Sequence, residues 1–465
     1  MKVKRLELKG FRGFDEIVLD FDTNPQRPTV FIGNNGVGKS SILDSLAILL
    51  SYFVSKLHSN LKTDKNIEFG KRIGWLDTNK NYQENQKNAE LTIVIQDKTQ
   101  KDYSWNNDST LGGSDYSQLI KLVNNIVENQ ADIINNSIPV ILYYSVNRFI
   151  PEVHLENTLN SNKFQDPLDA YENSLANYNL RLMTGILPRS PSPQSPPFRH
   201  LNTITISDLE KKTITFDAFF EWFKYIEDLE NERIRDDANY QDKQLVAVRK
   251  AIYSLISEFS DLRIRRSPLR MTVNKTIGDK VEELSINQLS DGEKCLLAMV
   301  GDIARRLAIA NPSLDDPLQG EGIVLIDEIE LHLHPQWQHK IIPRLTETFP
   351  NCQFIVTTHS PQVLSHVQPE NIYILQSTPD GIIASHPESS YGRDSNQILE
   401  NVMGVSAYPE DIEKDLSELF RLIDQNDLVG AKKLREQLAS RMPGPSDPQL
   451  IKAGVIIKGK EILGK

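Results

Sequence analysis

The chain has 465 residues, of which 39% are hydrophobic and 25% charged, the proportions of a folded globular protein, and at this length two or three structural units are expected. A net charge of -11 argues against a uniform coat of nucleic acid but leaves room for a local basic groove. Two cysteines without metal-ligand spacing, Cys295 and Cys352, exclude a disulfide framework and are expected to be buried thiols of a reducing compartment.

At the N-terminus, Val3, Leu6 and Leu8 alternate with Lys2, Lys4, Arg5 and Glu7, which predicts a strand in place of a signal peptide. A turn at Arg12-Gly13 and a strand over 17–21 follow. The apolar run Thr29-Val30-Phe31-Ile32 then leads into Gly33-Asn34-Asn35-Gly36-Val37-Gly38-Lys39-Ser40, a complete G-x-x-x-x-G-K-[ST] phosphate loop. Beyond it, Ile42, Leu43, Leu46, Ala47, Leu49 and Leu50 have helical spacing, so a helix N-terminus points at the anion. Glycines let backbone N–H groups approach phosphate oxygens. Lys39 reaches the β- and γ-phosphates and the Ser40 hydroxyl binds Mg²⁺. The predicted ATP-binding residues are Gly33, Asn34, Asn35, Gly36, Gly38, Lys39, Ser40 and Ser41. The most apolar stretch, 42–54, is broken by Asp44 and too short to span a bilayer, so no membrane association and a cytoplasmic location are expected.

Residues 55–90 read as polar surface elaboration, 91–95 as a strand, 97–115 as a polar loop, and 138–144 as a strand feeding Ser145-Val146-Asn147-Arg148. Pro188, Pro191, Pro193, Pro196 and Pro197 among serines mark a linker or exposed loop. Over 216–259, two apolar stripes flank a polar middle: Phe219, Trp222, Phe223, Ile226 and Leu229, then Leu245, Val248, Ile252, Leu255, Ile256 and Phe259. A pair of antiparallel helices or one long helix fits equally. The cluster Arg263, Arg265, Arg266, Arg270 reads as a solvated face, as does Lys432, Lys433, Arg435. From 281 onward α/β character returns, with helices over 296–310 and 336–347 and strands over 323–326, 353–357 and 372–375. Residues 409–440 look helical and charged, ahead of an Ala/Gly/Lys-containing tail.

The expected organisation is a nucleotide-binding core split into halves, 1–150 and 262–385. A mostly helical insertion, 151–261, lies between them, and a helical C-terminal region, 386–465, is expected to serve partner or oligomer contacts. The fold class is α/β with a mixed sheet.

Ile323-Val324-Leu325-Ile326-Asp327-Glu328 is a buried-strand run ending in two carboxylates. Asp327 is the candidate metal residue, acting through a water, and Glu328 the candidate general base for hydrolytic water. Leu289-Ser290-Asp291-Gly292-Glu293-Lys294 opens a strong helix and offers a second anion site. Thr357-Thr358-His359-Ser360-Pro361 ends a strand and supplies an imidazole able to donate to a γ-phosphate. His332, His334 and His339 invite a metal reading as His-x-His on a strand face. No cysteine or further carboxylate is spaced to complete such a site, so structural packing is expected.

The order of these elements resembles the ABC-class ATPases of the RecF and structural-maintenance-of-chromosomes (SMC) type. That resemblance implies an ABC-ATPase head with ATP and Mg²⁺ as cofactors and at least a homodimer, in which Ser290, Asp291, Gly292 and Glu293 complete the phosphate loop of a second copy in trans. It also makes His359 the switch histidine and, through Phe11-Arg12-Gly13-Phe14, brings Arg12 to the nucleotide. Asp291 stands where the family's usual second glycine would be, and Lys294 is atypical. More narrowly, the run from Asp327 to Pro335, Tyr144-Ser145-Val146-Asn147-Arg148 and Tyr391-Gly392-Arg393-Asp394-Ser395-Asn396 resemble the anti-phage defence ATPases of the Septu (PtuA) and retron-linked kind. This implies a separate HNH nuclease partner of the PtuB kind acting on DNA. A RecF-like repair ATPase is the alternative. An overcoming-lysogenization-type nuclease is disfavoured, because no apolar strand followed by Asp-x-Asp is evident after residue 385, and a transporter ATPase is least favoured.

Overall fold

The computed structural model describes residues 1–61, 89–108, 114–128, 137–146, 171, 216–442 and 447–463. The proline-rich stretch, Asn147, Arg148 and most of 55–90 lie outside the described residues. The chain divides into two units, Met1–Arg393 and Asp394–Lys465.

Among the described residues the first unit holds three sheets. β1 (Lys2–Phe11) pairs antiparallel with β2 (Phe14–Asp20) and with β4 (Glu90–Gln96), which in turn pairs with β5 (Asp102–Asp108). The second sheet has the order β13-β12-β3-β11-β10-β6, built from β3 (Thr29–Gly33), β6 (Val140–Tyr144), β10 (Gly322–Ile326), β11 (Cys352–Thr357), β12 (Ile372–Thr378) and β13 (Gly381–Ser385). Its strands are parallel except β13. β6, β10 and β11 are buried at every position, as strands covered on both faces must be. One sheet thus joins strands from both ends of the sequence, with β3 at its centre.

Helix α1 (Lys39–Leu61) touches strands of both sheets. It is longer than the apolar run predicted, because helix-compatible polar residues continue it. Residues 39–57 would meet the length and composition of a membrane span, but 67% of that window is buried inside the protein, so α1 is a core helix. Length therefore gives no argument against a span here, and burial replaces it.

The expected polar loop over 97–115 is corrected: β5 lies within it. Tyr103, Trp105 and Asn107 alternate inward. Trp105 Nε1 donates to the Leu49 carbonyl at 3.0 Å and Asn107 Nδ2 to the Tyr52 hydroxyl at 2.8 Å, tying the strand to α1. A third sheet, also not foreseen, is antiparallel: β7 (Phe259–Arg266), β8 (Leu269–Ile277) and β9 (Lys280–Ser285).

The region 216–259 is a helix pair, α2 being Ser117–Glu128, α3 Phe216–Arg233 and α4 Lys243–Leu255, with Phe259 opening β7 instead. Asp242 caps α4, and its own N–H donates to Glu230 at 2.8 Å, which fixes the turn between the two helices. Both pack on α5 (Asp291–Ala310), a helix buried along almost its whole length. The predicted helix over 336–347 is two pieces, α6 (Pro335–Gln338) and α7 (Ile341–Thr348). After α8 (Pro361–Leu364) and the edge hairpin β12–β13, the chain stays with the first unit to Arg393 and does not leave it at 385. Hydrogen bonds from the Ser390 hydroxyl to Val367 O (2.6 Å) and from Gly392 N to Ser365 O (2.9 Å) hold it there.

The second unit contains α9 (Ser395–Asn401), α10 (Glu410–Asp424), α11 (Leu428–Arg441) and α12 (Pro448–Leu463). The supposed tail is therefore mostly helix: Leu450, Ala453 and Ile457 pack against Leu416, Leu419, Ile423 and Leu438.

Three of the four arginines and one residue of the lysine group are ion-paired. Glu283 receives Arg263 and Arg265, whose hydrogen bonds hold its carboxyl down at about 2, while Arg266 pairs with Glu227 and Asp228. Lys432 pairs with Glu461. Both cysteines are free and buried, as expected.

Candidate nucleotide site

The phosphate loop leaves the C-terminal end of β3, between β11 and β12, and enters α1. Gly33 has φ 144°, and a Cβ there would lie 2.5 Å from the Leu375 carbonyl oxygen of β12. Gly38 has φ 105°, and a Cβ would meet the buried Phe14 ring at 2.7 Å. These two positions combine a backbone that favours glycine with walls that leave no space for a side chain. Asn34, Asn35 and Gly36 are exposed at the tip. Val37 N donates to Asn34 O at 3.3 Å, closing the turn. Lys39 is buried and donates to the carbonyls of Gly33 (2.8 Å) and Asn34 (3.1 Å). Burial lowers the pKa of its ammonium, against the opposing pull of Asp327, Glu328 and Glu330. Ser40 and Ser41 stand half-buried on the first turn of α1, where unpaired N–H groups and the helix dipole favour an anion.

The acidic end of β10 and the end of β11 interlock beside this loop. Thr357 Oγ1 donates to Asp327 Oδ1 at 2.6 Å and accepts from Glu328 N at 2.7 Å. Ile329 N donates to Thr357 O at 3.0 Å. Glu330 accepts the Thr358 hydroxyl at 2.7 Å and the backbone N–H of His359. Asp327 N reaches back to Tyr144 O of β6 at 2.8 Å, and Thr358 N to Phe31 O of β3 at 3.1 Å. Glu328 has φ 49°, a left-handed conformation uncommon outside glycine, which these bonds over-determine. His359 is half-buried, and its imidazole has no hydrogen-bond partner among the described residues.

The other residues that the sequence singled out have the following surroundings. Arg12 is turned onto α1, where its guanidinium pairs with the buried Asp44, which also takes the Tyr143 hydroxyl at 2.8 Å; Ser41 Oγ lies 3.4 Å away. Of the four residues expected to face a second copy, only Ser290 and Asp291 are exposed. Ser290 caps α5 in a reciprocal box with Glu293, which is buried and also pairs with Lys275 at 2.7 Å, while a Cβ on Gly292 would lie 2.7 Å from the His332 carbonyl oxygen. Neither Ser290 nor Asp291 is bonded to its own phosphate loop among the described residues. Finally, His332 and His334 are exposed and lie on turns, not a strand; His334 caps α6 and His339 meets Ser365 at 3.2 Å. No metal-binding group of three or more His, Cys, Asp or Glu exists among the described residues.

The donor set fits a magnesium nucleotide. A loop with no space for a Cβ at Gly33 or Gly38, a buried ammonium and a helix N-terminus suit a polyphosphate. The Ser40 hydroxyl and Asp327 carboxylate are oxygen donors of the kind Mg²⁺ takes. The sequence reading singled out His359 but gave no role to Thr357 or Glu330. The signal available was the second carboxylate spacing, Glu328-x-Glu330, beside the hydroxyl pair Thr357-Thr358.

A phosphate loop on the central strand of a mixed sheet, its acidic and histidine strand ends supplied by the far half of the chain, defines an ABC-class ATPase head. The family model described as "AAA domain, putative AbiEii toxin, Type IV TA system" matches residues 29–365. The chain is 32% identical to the "Retron Ec83 probable ATPase" of Escherichia coli, over 97% of this chain and 85% of that protein. It is 30% identical to the Septu protein PtuA of Bacillus mycoides over 38% of this chain and 27% of that one. Among solved structures, the SMC head domain from Thermotoga maritima aligns at a TM-score of 0.42 and 14% identity, covering 83% of this chain and 100% of that one. The chain belongs to this AAA-domain family and is an ABC-class ATPase of defence systems.

Proposed function

We propose that this protein binds and hydrolyses ATP with Mg²⁺ as the ATPase subunit of an anti-phage defence complex of the retron-linked kind. In this reading it pairs with a second copy through its heads and governs an HNH nuclease partner acting on DNA. One observation carries the nucleotide half: Lys39 of the phosphate loop shares its surroundings with the carboxylates of Asp327, Glu328 and Glu330, which the ends of β10 and β11 hold in place. Lys39 and the loop backbone bind the phosphates, Ser40 and Asp327 hold the cation, and Glu328 accepts the proton of the attacking water. The retron context is favoured over Septu because similarity to the retron ATPase runs the length of the chain while that to PtuA covers little more than a third. Exposure of Ser290 and Asp291 at the start of a 20-residue helix supports their contact with a second copy.

Lys39→Ala should abolish ATP binding, measured by equilibrium titration, and Glu328→Gln should bind ATP but turn over at least about 100-fold more slowly. Retained binding in the first variant would remove the phosphate-loop assignment, and an unchanged rate in the second would remove the general base. Co-purification with an HNH protein from the neighbouring reading frame tests the partner. DNA cleavage by this chain alone with a divalent metal would refute the separate-nuclease reading.

A further inference from the structure

We propose that Glu330 is a positioning residue whose carboxylate grips the Thr358 hydroxyl and the His359 N–H and so sets the imidazole of His359 against the γ-phosphate, in step with Glu328. The inference rests on the reading of this pocket as an ATP site.

The two carboxylate oxygens have separate tasks. Oε2 accepts the Thr358 hydroxyl at 2.7 Å, and Oε1 accepts the His359 N–H. Two consecutive residues of one strand end are thereby fixed by a single side chain from the neighbouring strand end. Asp327 and Glu328 have their own anchor in Thr357 Oγ1, so they do not depend on Glu330 for position. His359 does. Its imidazole finds no hydrogen-bond partner among the described residues, so its placement passes through the backbone that Glu330 holds. Thr358 is buried and its N–H donates to Phe31 O on β3, the strand that carries the phosphate loop. The grip therefore ties the histidine to the strand that leads into the phosphate loop. The Glu330 carboxylate also acts electrostatically on the Lys39 ammonium, which places it at the nucleotide side of the sheet.

A carboxylate that grips and a carboxylate that acts through its charge differ in one substitution. In Glu330→Gln the amide oxygen can accept the His359 N–H while the amide NH₂ donates to the Thr358 hydroxyl, so the grip survives without the charge. In Glu330→Ala both bonds are lost.

The test uses the full chain and compares wild type, Glu330→Ala and Glu330→Gln in ATP turnover, in equilibrium binding of ATP against ADP, and in thermal unfolding. Glu330→Ala should lose about 10–100-fold in kcat with KM for ATP changed by less than about threefold, the cost of a misplaced group. Its preference for ATP over ADP should fall toward unity. Glu330→Gln should return kcat to within about threefold of wild type. An alanine variant with wild-type kcat and wild-type ATP preference overturns the proposal and leaves the ATP site standing. So does a glutamine variant that is folded yet as slow as alanine, since charge would then be the cause. If Glu330→Ala does not fold, Thr358→Val removes one of the two bonds and should show a smaller loss in the same sense; unchanged kcat there overturns the grip. A wild-type chain that binds neither nucleotide overturns the site reading and this proposal together.

Discussion

Asp302 lies on α5, and its replacement should destabilise the first unit by an amount the structure allows to be worked out. Its carboxylate takes Arg305 Nη2 at 2.6 Å, Arg306 Nε at 2.7 Å and the Tyr144 hydroxyl at 3.0 Å, and all four side chains are buried. Burial alone would push the Asp302 carboxyl up, but Arg306 and Arg305 outweigh it and hold the group at about 2, from an ordinary 3.8. Burial lowers Arg305 in turn, with the repulsion of Arg306 adding to it, since two cations share one anion. A depressed carboxyl of this size corresponds to about 2 kcal/mol of stability at neutral pH. The folded value is the lower one, so this contribution is complete above about pH 5, falls to about half near pH 3 and is gone once the pH has passed below about 2. Asp302→Asn should therefore cost about 2 kcal/mol at pH 7, and Asp302→Ala, which leaves two buried guanidiniums unpaired, about 3–5 kcal/mol. With an unfolding entropy of ~2.1 cal/mol/K per residue, a unit the size of Met1–Arg393 loses about 1.2 °C of Tm per kcal/mol, so the alanine variant should melt about 4–6 °C lower. The assay is thermal unfolding of wild type and both variants between pH 7 and pH 3. The reasoning fails if Asp302→Asn melts with wild type at pH 7, or if its deficit does not shrink on going to pH 3.

Two further substitutions probe the walls of the site. Gly38→Ala places a Cβ 2.7 Å from the Phe14 ring at φ 105° and should reduce ATP affinity at least about tenfold, read by equilibrium titration; unchanged affinity would mean that the loop moves freely off that wall. Gly292→Ala drives a Cβ to 2.7 Å from the His332 carbonyl oxygen and should cost about 1–3 kcal/mol in unfolding, with no more than a small effect if the turn after Glu330 can yield.

What the sequence made legible was what local pattern carries. The phosphate loop, the strand before it, the helix after it and the acidic end of β10 each declare themselves within a few residues, because their chemistry requires those residues side by side. β5 was hidden because one of its three inward positions is Asn107, whose amide NH₂ meets the hydroxyl of Tyr52 on a helix distant in sequence. The β7–β9 sheet was hidden because its arginines look like solvated cations until Glu227, Asp228 and Glu283 are brought beside them by the fold. Helix α12 contains Gly454 and Gly459 and is held by its packing on α10 and α11, which no propensity reports. In the site, Glu293 read as a residue for a second copy, yet a capping box turns it inward to Ser290 and Lys275. Glu330 went unread because its partners lie on another strand.

The walls of the phosphate loop explain why the core must be assembled from both ends of the chain. Gly33 is pressed on Leu375 of β12 and Gly38 on Phe14 of β2, while Lys39 lies among carboxylates that follow β10. Each of these surroundings comes from a different segment, and the two walls press on backbones that favour glycine. The eight-residue motif is thus shaped as a loop by β2, by β12 and by the residues that follow β10. A nucleotide that binds this loop should therefore stabilise the folded first unit by mass action.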